Sequence, residues 1–213
     1  FANYYSNMTE FTFGLYKPDS ITVLQTTNPD TINYFYNWVG FQAQNAEQAF
    51  IGGAEFSFNS MGKIGEVDLT TLLGYTYMYP ISLNKDSIYK LSFSDPSTNM
   101  LKYRFNHMAK ADIQATYKAF SIGISSRYNS YMKNIDRVFE DGVLGEELLV
   151  GMANYRSVFN KGVAVFDARF GYQINEAFKV NFIANNLFNK EYVSRPGDVQ
   201  APRNFILQMQ LAL

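Results

Sequence analysis

The sequence predicts an all-β protein, more specifically a transmembrane antiparallel β-barrel with about eight strands. Apolar and polar residues alternate with a period of two along most of the 213 residues. Aromatic and charged residues each make up 17% of the chain, whereas soluble domains carry about 25% charged residues. The mean hydropathy is nevertheless slightly negative, at −0.18. Such a composition suits strands that are apolar on one face and polar on the other.

The strands are short enough for a barrel, and no segment suits a membrane-spanning helix. The chain has no run of about 18 apolar residues, which a helix would need, whereas a membrane strand needs only about 9–11 residues. The first five residues have the character of a strand. We expect the main strands near residues 11–15, 50–58, 67–79, 109–117, 120–128, 164–174, 178–185 and 204–213.

The last predicted strand shows the pattern most clearly. Its apolar residues fall at every second position, and Asn204, Gln208 and Gln210 occupy the other face. The apolar set is Phe205, Leu207, Met209, Leu211 and Leu213. Because neighbouring residues of a strand point to opposite faces, this predicts one face in lipid and one in an aqueous interior.

The predicted connections alternate in length. Short turns are expected near residues 60–66, 118–119 and 175–177, and long connections near residues 17–40, 80–101, 133–161 and 190–202. Outer-membrane barrels have short periplasmic turns at one end and long extracellular loops at the other.

Several aromatic residues lie near the ends of predicted strands. They either form a girdle at the membrane interface or are ordinary half-buried residues of the strands. These residues are Tyr75, Tyr77, Tyr79, Tyr128, Tyr131, Phe188 and Tyr192.

The composition gives little support to other classes of function. A net charge of −1 provides no basic excess of the kind that nucleic-acid binding requires. Cysteine is absent, which excludes disulfides and thiolate metal sites. His107 is the only histidine, and we interpret it as a structural or surface residue. No nucleophile–base set and no phosphate-binding loop is evident, so we expect no enzyme activity, no metal site and no cofactor.

Four charged residues are candidates for the interior of the barrel: Arg127, Asp167, Arg169 and Lys179. All four fall on the polar faces of predicted strands. They either contact a substrate or a plug, or they form a wall of paired charges that keeps the lumen wet.

Two loops carry further candidates. Tyr34, Tyr36 and Trp38, together with Phe35, either stack on a ligand or belong to the membrane-interface belt. The connection at residues 133–161 is acidic, and it is either a solvated loop or an oxygen-ligand Ca²⁺ site without EF-hand spacing. Its acidic residues are Asp136, Glu140, Asp141, Glu146 and Glu147.

One segment near the C-terminus resembles a known family. Asn186-Leu187-Phe188-Asn189-Lys190-Glu191-Tyr192 is followed by Arg195-Pro196-Gly197-Asp198 and Ala201-Pro202-Arg203-Asn204-Phe205. This succession is similar to the end of a TonB-dependent receptor. The style of the sequence, including Leu72-Leu73-Gly74-Tyr75-Thr76-Tyr77, is similar to such receptors from the Bacteroidota. A second match is Phe50-Ile51-Gly52-Gly53-Ala54-Glu55-Phe56. We expect Arg195, Asp198 and Arg203 to set the geometry of the last hairpin. Leu213 departs from the aromatic residue that commonly ends outer-membrane proteins.

The resemblance implies an architecture larger than this chain. Such receptors have a 22-stranded barrel, a plug domain and a TonB box. Residues 1–213 are expected to be the C-terminal portion of the barrel, with neither plug nor TonB box. The implied localisation is the bacterial outer membrane. The implied partners are outer-membrane lipid, the rest of the receptor and, through the plug, TonB.

The implied function is transport. The receptor would bind a scarce extracellular ligand, such as a metal chelate, a cobalamin or a glycan, and import it with energy transmitted by TonB. An alternative is a small, self-closed eight-stranded barrel with a structural or adhesive role, and a third possibility is an outer-membrane enzyme.

Overall fold

Ten strands and three short helices are formed by the residues that the computed structural model describes, which are 1–15, 39–45, 48–85, 87–143 and 145–212. The strands are β1 (Ala2–Tyr5), β2 (Thr9–Leu15), β3 (Val39–Asn45), β4 (Ala49–Ile64), β5 (Val67–Ser82), β6 (His107–Tyr117), β7 (Phe120–Asn129), β8 (Val163–Gln173), β9 (Phe178–Asn185) and β10 (Asn204–Leu211). The helices are α1 (Ser87–Leu91), α2 (Val138–Asp141) and α3 (Met152–Val158). None of these helices is long and apolar enough to cross a membrane.

Eight strands form one antiparallel sheet in the order β1-β4-β5-β6-β7-β8-β9-β10. Apart from the first pair, each strand follows its neighbour in sequence, so the sheet is a meander. The turn after β4 has a left-handed glycine, Gly65, and the turn after β6 consists of Lys118 and Ala119. Long connections join the strands at the other end, so the predicted alternation of short and long connections is confirmed.

The register places the predicted apolar stripes on a single face. Leu207 pairs with Phe182, which pairs with Phe170, which in turn pairs with Ile122. These four side chains are 44–62% exposed. A soluble protein would cover so large an apolar surface, whereas in a membrane lipid covers it. We name this surface the outer face and the opposite, polar surface the inner face.

The prediction for the first strand is wrong. Eight strands do form the sheet, but its first member is β1. The stripe at residues 11–15 lies in β2, which pairs with β3 and with no other strand of the described residues. In β2 the polar residues Glu10 and Thr12 are buried, while Phe11 is 65% exposed. A period of two shows which residues share a face, but it does not show which sheet a strand joins. The expected connection at residues 17–40 falls mostly outside the described residues.

The buried core lies under the loops instead of within the sheet. Phe93, Leu101, Asn134, Ile135 and Asp136 are at most 1% exposed, and all belong to the connections that follow β5 and β7. The β2–β3 hairpin packs on the same loops through a stack of Phe41 on Phe139, with ring centroids 5.3 Å apart. The long loops therefore form a packed layer at one end of the sheet.

Candidate ligand-binding site

Three strands of the inner face share a hydrogen-bonded triad. Arg169 donates through both terminal nitrogens to the carboxylate of Asp112, at 2.8 and 2.9 Å. Ser125 lies between them on β7; it donates to Asp112 at 2.6 Å and accepts from Arg169 at 2.7 Å. Gly123 faces Arg169, and a Cβ there would come within 2.7 Å of the guanidinium. The bidentate geometry holds Arg169 flat against the wall.

The other predicted interior residues lie on the same face but do not form one cluster. Arg127 approaches Asp167 at 3.5 Å, and its side chain is 59% exposed. Asp167 also accepts from the backbone N–H of Asn186 at 2.8 Å. Lys179 lies between Gln173 and Gln210 in the register, with no carboxylate partner among the residues described. Whether these four residues contact a ligand or only line a wet wall stays a prediction.

A cleft of about 90 Å³, open to solvent, lies where the inner face meets the loops. The loop-side ends of β7 and β8 form its floor, with Arg127, Asn129 and Val165 among the lining residues. The loops after β5, β7 and β9 form its walls. Aromatic side chains dominate these walls: Phe105, Tyr131, Tyr155, Phe159 and Tyr192. We name this space the loop cleft.

Two residues named in the predicted membrane girdle belong to this cleft. Tyr192 lines it, so its assignment to an outer aromatic belt is wrong, whereas Tyr131 lines it and also borders a second depression at the outer rim. Both follow the ends of strands, where the chain turns inward over the lumen. Tyr75, Tyr77, Tyr79 and Tyr128 do lie on the outer face.

A buried arginine organises the wall of the cleft. The Arg156 side chain is 8% exposed; it donates to the carboxylate of Glu140 and, at 3.0 Å, to the carbonyl of Met132. Its guanidinium lies 4.5 Å from the centroid of the Tyr131 ring. Because Arg156 is already paired, Arg127 is the cation in the cleft with more capacity for a ligand.

Two tyrosines of the cleft, Tyr131 and Tyr155, remain uncharged. Burial raises the pKa of Tyr131 and of Tyr155 above the ordinary value for a phenol. Tyr155 accepts a hydrogen bond from the backbone N–H of Val193 at 3.2 Å, and its ring packs 4.8 Å from that of Phe159. The cleft thus combines aromatic faces, neutral hydroxyl groups and one exposed guanidinium, a mixture that suits a partly aromatic or anionic small molecule.

The loops above the cleft are held by a buried polar cluster. Lys102 donates to Asp136 at 2.7 Å and to Thr12 at 3.1 Å, and the ion pair is at most 2% exposed. Tyr103 donates to the same carboxylate, and Tyr89 donates to Glu10 at 2.6 Å. The cluster consequently connects the β2–β3 hairpin to the two central loops.

Residues 186–205, the segment that resembles the known family, include Tyr192 of the loop cleft. Asn186 and Asn189 both have left-handed backbones, with φ of 49° and 50°, which asparagine tolerates. The Asn186 side chain donates to the carbonyl of Lys190 at 2.8 Å and accepts from the N–H of the same residue at 2.7 Å. The N–H of Arg203 donates to the Asn189 side chain at 2.9 Å. These contacts close the last hairpin.

Of the three charged residues expected to shape that hairpin, two use their side chains. Asp198 accepts from Ser194, and the Arg203 guanidinium donates to the carbonyl of Leu187 at 3.4 Å. Arg195 contributes its backbone carbonyl, which accepts from the N–H of Asp198 at 3.0 Å.

The remaining candidates have separate positions. Tyr34, Tyr36 and Trp38 lie outside the described residues. His107 lies on the outer face, with Nδ1 2.8 Å from the hydroxyl of Tyr75. The acidic loop differs from a simple solvated loop, because Asp136 is 1% exposed. Within the described part of the chain, no three acidic or histidine side chains converge on a common metal position.

Sequence reasoning missed Tyr155, Phe159 and Arg156. Tyr155 and Arg156 lie in α3 and Phe159 directly follows it, inside a connection that was expected to be a long polar loop. The available signal was the segment from Met152 to Phe159, where apolar residues recur at helical spacing.

Solved structures with the same fold are outer-membrane receptors and transporters. The ferric-catecholate import receptor Fiu from E. coli K12, in its closed form, matches 80% of this chain with a TM-score of 0.56 and 21% identity. The P. aeruginosa receptor FpvA, bound to an iron–pyoverdine complex, matches 99% with a TM-score of 0.55 and 14% identity. The copper transporter OprC matches 99% with a TM-score of 0.57 and 13% identity. No family model and no curated protein sequence matches the chain.

The chain covers 22% of Fiu, 24% of FpvA and 27% of OprC. It therefore spans about a quarter of the length of these proteins. At these identities the likeness establishes the fold alone, which matches part of the β-barrels of these proteins. The predicted all-β transmembrane fold is confirmed.

Proposed function

We propose that residues 1–213 form the C-terminal part of an outer-membrane receptor barrel that binds a scarce extracellular ligand for import. The resemblance at residues 186–205 supports the C-terminal position. The protein would lie in the bacterial outer membrane, in contact with lipid on its outer face. The rest of the receptor would supply the remaining strands and the plug, and TonB would act through the plug.

The open edges of the sheet support membership in a larger barrel. Within the described residues, β1 pairs only with β4, and β10 pairs only with β9. A strand edge in hydrocarbon leaves N–H and C=O groups without partners, at several kcal/mol each. Further strands from the rest of the receptor would satisfy both edges. This reasoning favours the receptor over a self-closed eight-stranded barrel.

The loop cleft is the observation that carries the binding function. It lies at the loop end of the inner face, where an extracellular ligand would meet the lumen, and its walls are aromatic. A metal chelate with aromatic or anionic groups fits this chemistry better than a neutral glycan, because Arg127 offers a largely exposed guanidinium. The chain would bind and release the ligand without chemical change, and it would use no cofactor.

Calorimetric titration of the complete receptor with a ferric catecholate, ferric pyoverdine and cobalamin tests this proposal. We expect one of these probes to bind. Phe159→Ala and Arg127→Ala should each weaken binding about tenfold, which corresponds to ~1.4 kcal/mol for a lost contact. Phe188→Ala is the matched control, because this ring is 70% exposed and is not part of the cleft. Absence of binding by all three probes, or unchanged binding in both cleft variants, contradicts the proposal.

A further inference from the structure

The outer face carries a second, open depression at its loop-side rim. Two elements of the sheet contribute its lower wall, through Tyr77 and Tyr79 of β5 and His107 of β6. The loop after β7 contributes its upper wall, through Lys133, Asn160 and Lys161 among others. This depression is distinct from the loop cleft, and Ser130 and Tyr131 border both. We name it the rim depression.

The rim depression lies where the apolar band ends. Tyr77 is ten residues beyond Val67, which begins β5 at the short-turn end. At about 3.3 Å per residue and a tilt near 45°, this separation spans ~23 Å along the membrane normal, and the apolar band of such barrels is about 25 Å tall. Aromatic residues at the short-turn end mark the other boundary, where Phe120 packs 4.8 Å from Tyr172. Tyr77, Tyr79 and His107 therefore lie at the level of lipid headgroups.

Two positive charges at the rim have no charged partner among the residues that the structure describes. Lys133 and Lys161 are both exposed, and neither forms an ion pair or a cation–π contact within the described residues. Lys133 also borders a neighbouring depression that contains Asp95 and Glu140. Glu140 is paired with Arg156, and Asp95 accepts from the hydroxyl of Ser97 at 2.5 Å. Neither carboxylate forms an ion pair with Lys133 within the described part of the chain.

The loop that bears the two lysines is fixed to the outer face. The Tyr128 hydroxyl donates to the carbonyl of Lys161 at 3.3 Å, and the N–H of Ser130 donates to the carbonyl of His107 at 2.8 Å. The backbone at both ends of the loop is thus held at the rim. The depression is pre-formed, which reduces the entropy cost of binding.

We propose that the rim depression binds a phosphate group on the headgroup of an outer-leaflet lipid. The ammonium groups of Lys133 and Lys161 supply the charge, and Asn160 and the tyrosine hydroxyls supply donors. Tyr77 and Tyr79 lie against the apolar part of the same lipid, because a phenol ring is apolar with one polar end. This inference rests on the proposed function, since it requires the barrel to lie in a membrane.

Native mass spectrometry of the complete receptor in detergent tests the inference. The probes are bis-phosphorylated lipid A and the same lipid with both phosphates removed. We expect the phosphorylated form to bind more tightly. Each lysine near a charged headgroup contributes a factor of about five, so Lys133→Ala with Lys161→Ala should weaken binding roughly 25-fold. Lys133→Arg with Lys161→Arg should retain it, because arginine keeps the charge and binds phosphate.

The matched control is Lys63→Ala with Lys118→Ala. It removes the same charge at the opposite rim, where Lys63 and Lys118 already lie near Asp68 and Glu66. Equal binding of the two lipids, or equal losses in the rim and control variants, overturns the inference. The calorimetric titration described for the loop cleft does not depend on these lysines. A receptor that binds its ligand but does not distinguish the lipids therefore refutes only the rim site.

Discussion

At the scale of single residues, the Asp112–Arg169 pair is the best-formed interaction on the inner face. Its side chains are 37% and 30% exposed, so solvent screens the attraction in part. We expect a double-mutant cycle with Asp112→Ala and Arg169→Ala to give a coupling energy of about 1 kcal/mol. Urea unfolding of the complete receptor in lipid vesicles measures it.

The matched control for that cycle is the Lys63–Asp68 pair. Its atoms are 3.7 Å apart and its side chains are more than 60% exposed, so its coupling should stay below about 0.5 kcal/mol. Equal coupling in the two cycles would show that the bidentate geometry adds nothing to stability.

At the scale of elements, β6 tests the assignment of its two faces. Ile113 lies midway between His107 and Tyr117, on the outer face and 46% exposed, and Gln114 follows it on the inner face. We expect Ile113→Lys to destabilise the folded barrel by about 2–4 kcal/mol, because a charge near the bilayer midplane is costly. Gln114→Lys should change stability by less than ~1 kcal/mol. Unfolding in lipid vesicles gives both values, and similar values would refute a lipid-facing Ile113.

The loop layer should weaken at alkaline pH. Burial raises the pKa of Tyr89 and of Tyr103 above its value in the unfolded chain, which is about 10. A phenol whose folded pKa is raised contributes its full stability below pH 10, and this contribution falls as the pH rises further. Protease cleavage within the loops should therefore accelerate between about pH 10 and 11.

Lysines also titrate near pH 10, so a variant is needed to separate their effect from the ionisation of the two phenols. The variant Tyr89→Phe with Tyr103→Phe serves this purpose. It should remove most of the acceleration above pH 10, although the loops are then less stable at neutral pH. An acceleration of the same size in the variant would assign the effect to other groups.

At the scale of the whole molecule, closure of the barrel depends on strands beyond this sheet. Residues 1–213 expressed alone and refolded in detergent should not form a heat-modifiable monomer of 24.3 kDa, because both sheet edges would lack partners. The complete receptor should shift in electrophoretic mobility on heating. A compact, heat-modifiable 24.3 kDa monomer would instead support the small self-closed barrel.

The sequence alone determined the two faces of the sheet and the alternation of its connections. Side chains alternate between the two faces of a strand because of backbone geometry, so the apolar–polar alternation in β9 and β10 can be predicted from the sequence. The turn that contains Asn186 and Asn189 could also be predicted from the sequence, because most of its hydrogen bonds join residues that are close in the chain.

Only the tertiary structure decided which strand begins the sheet, where the loops are buried and what lines the loop cleft. The stripe in β2 has the same period as the membrane strands, yet it turns Glu10 and Thr12 toward Tyr89 and Lys102. Partners some 80 or 90 residues apart in the chain leave no local signal. A polar loop therefore looks the same in sequence whether water or another loop satisfies its hydrogen bonds.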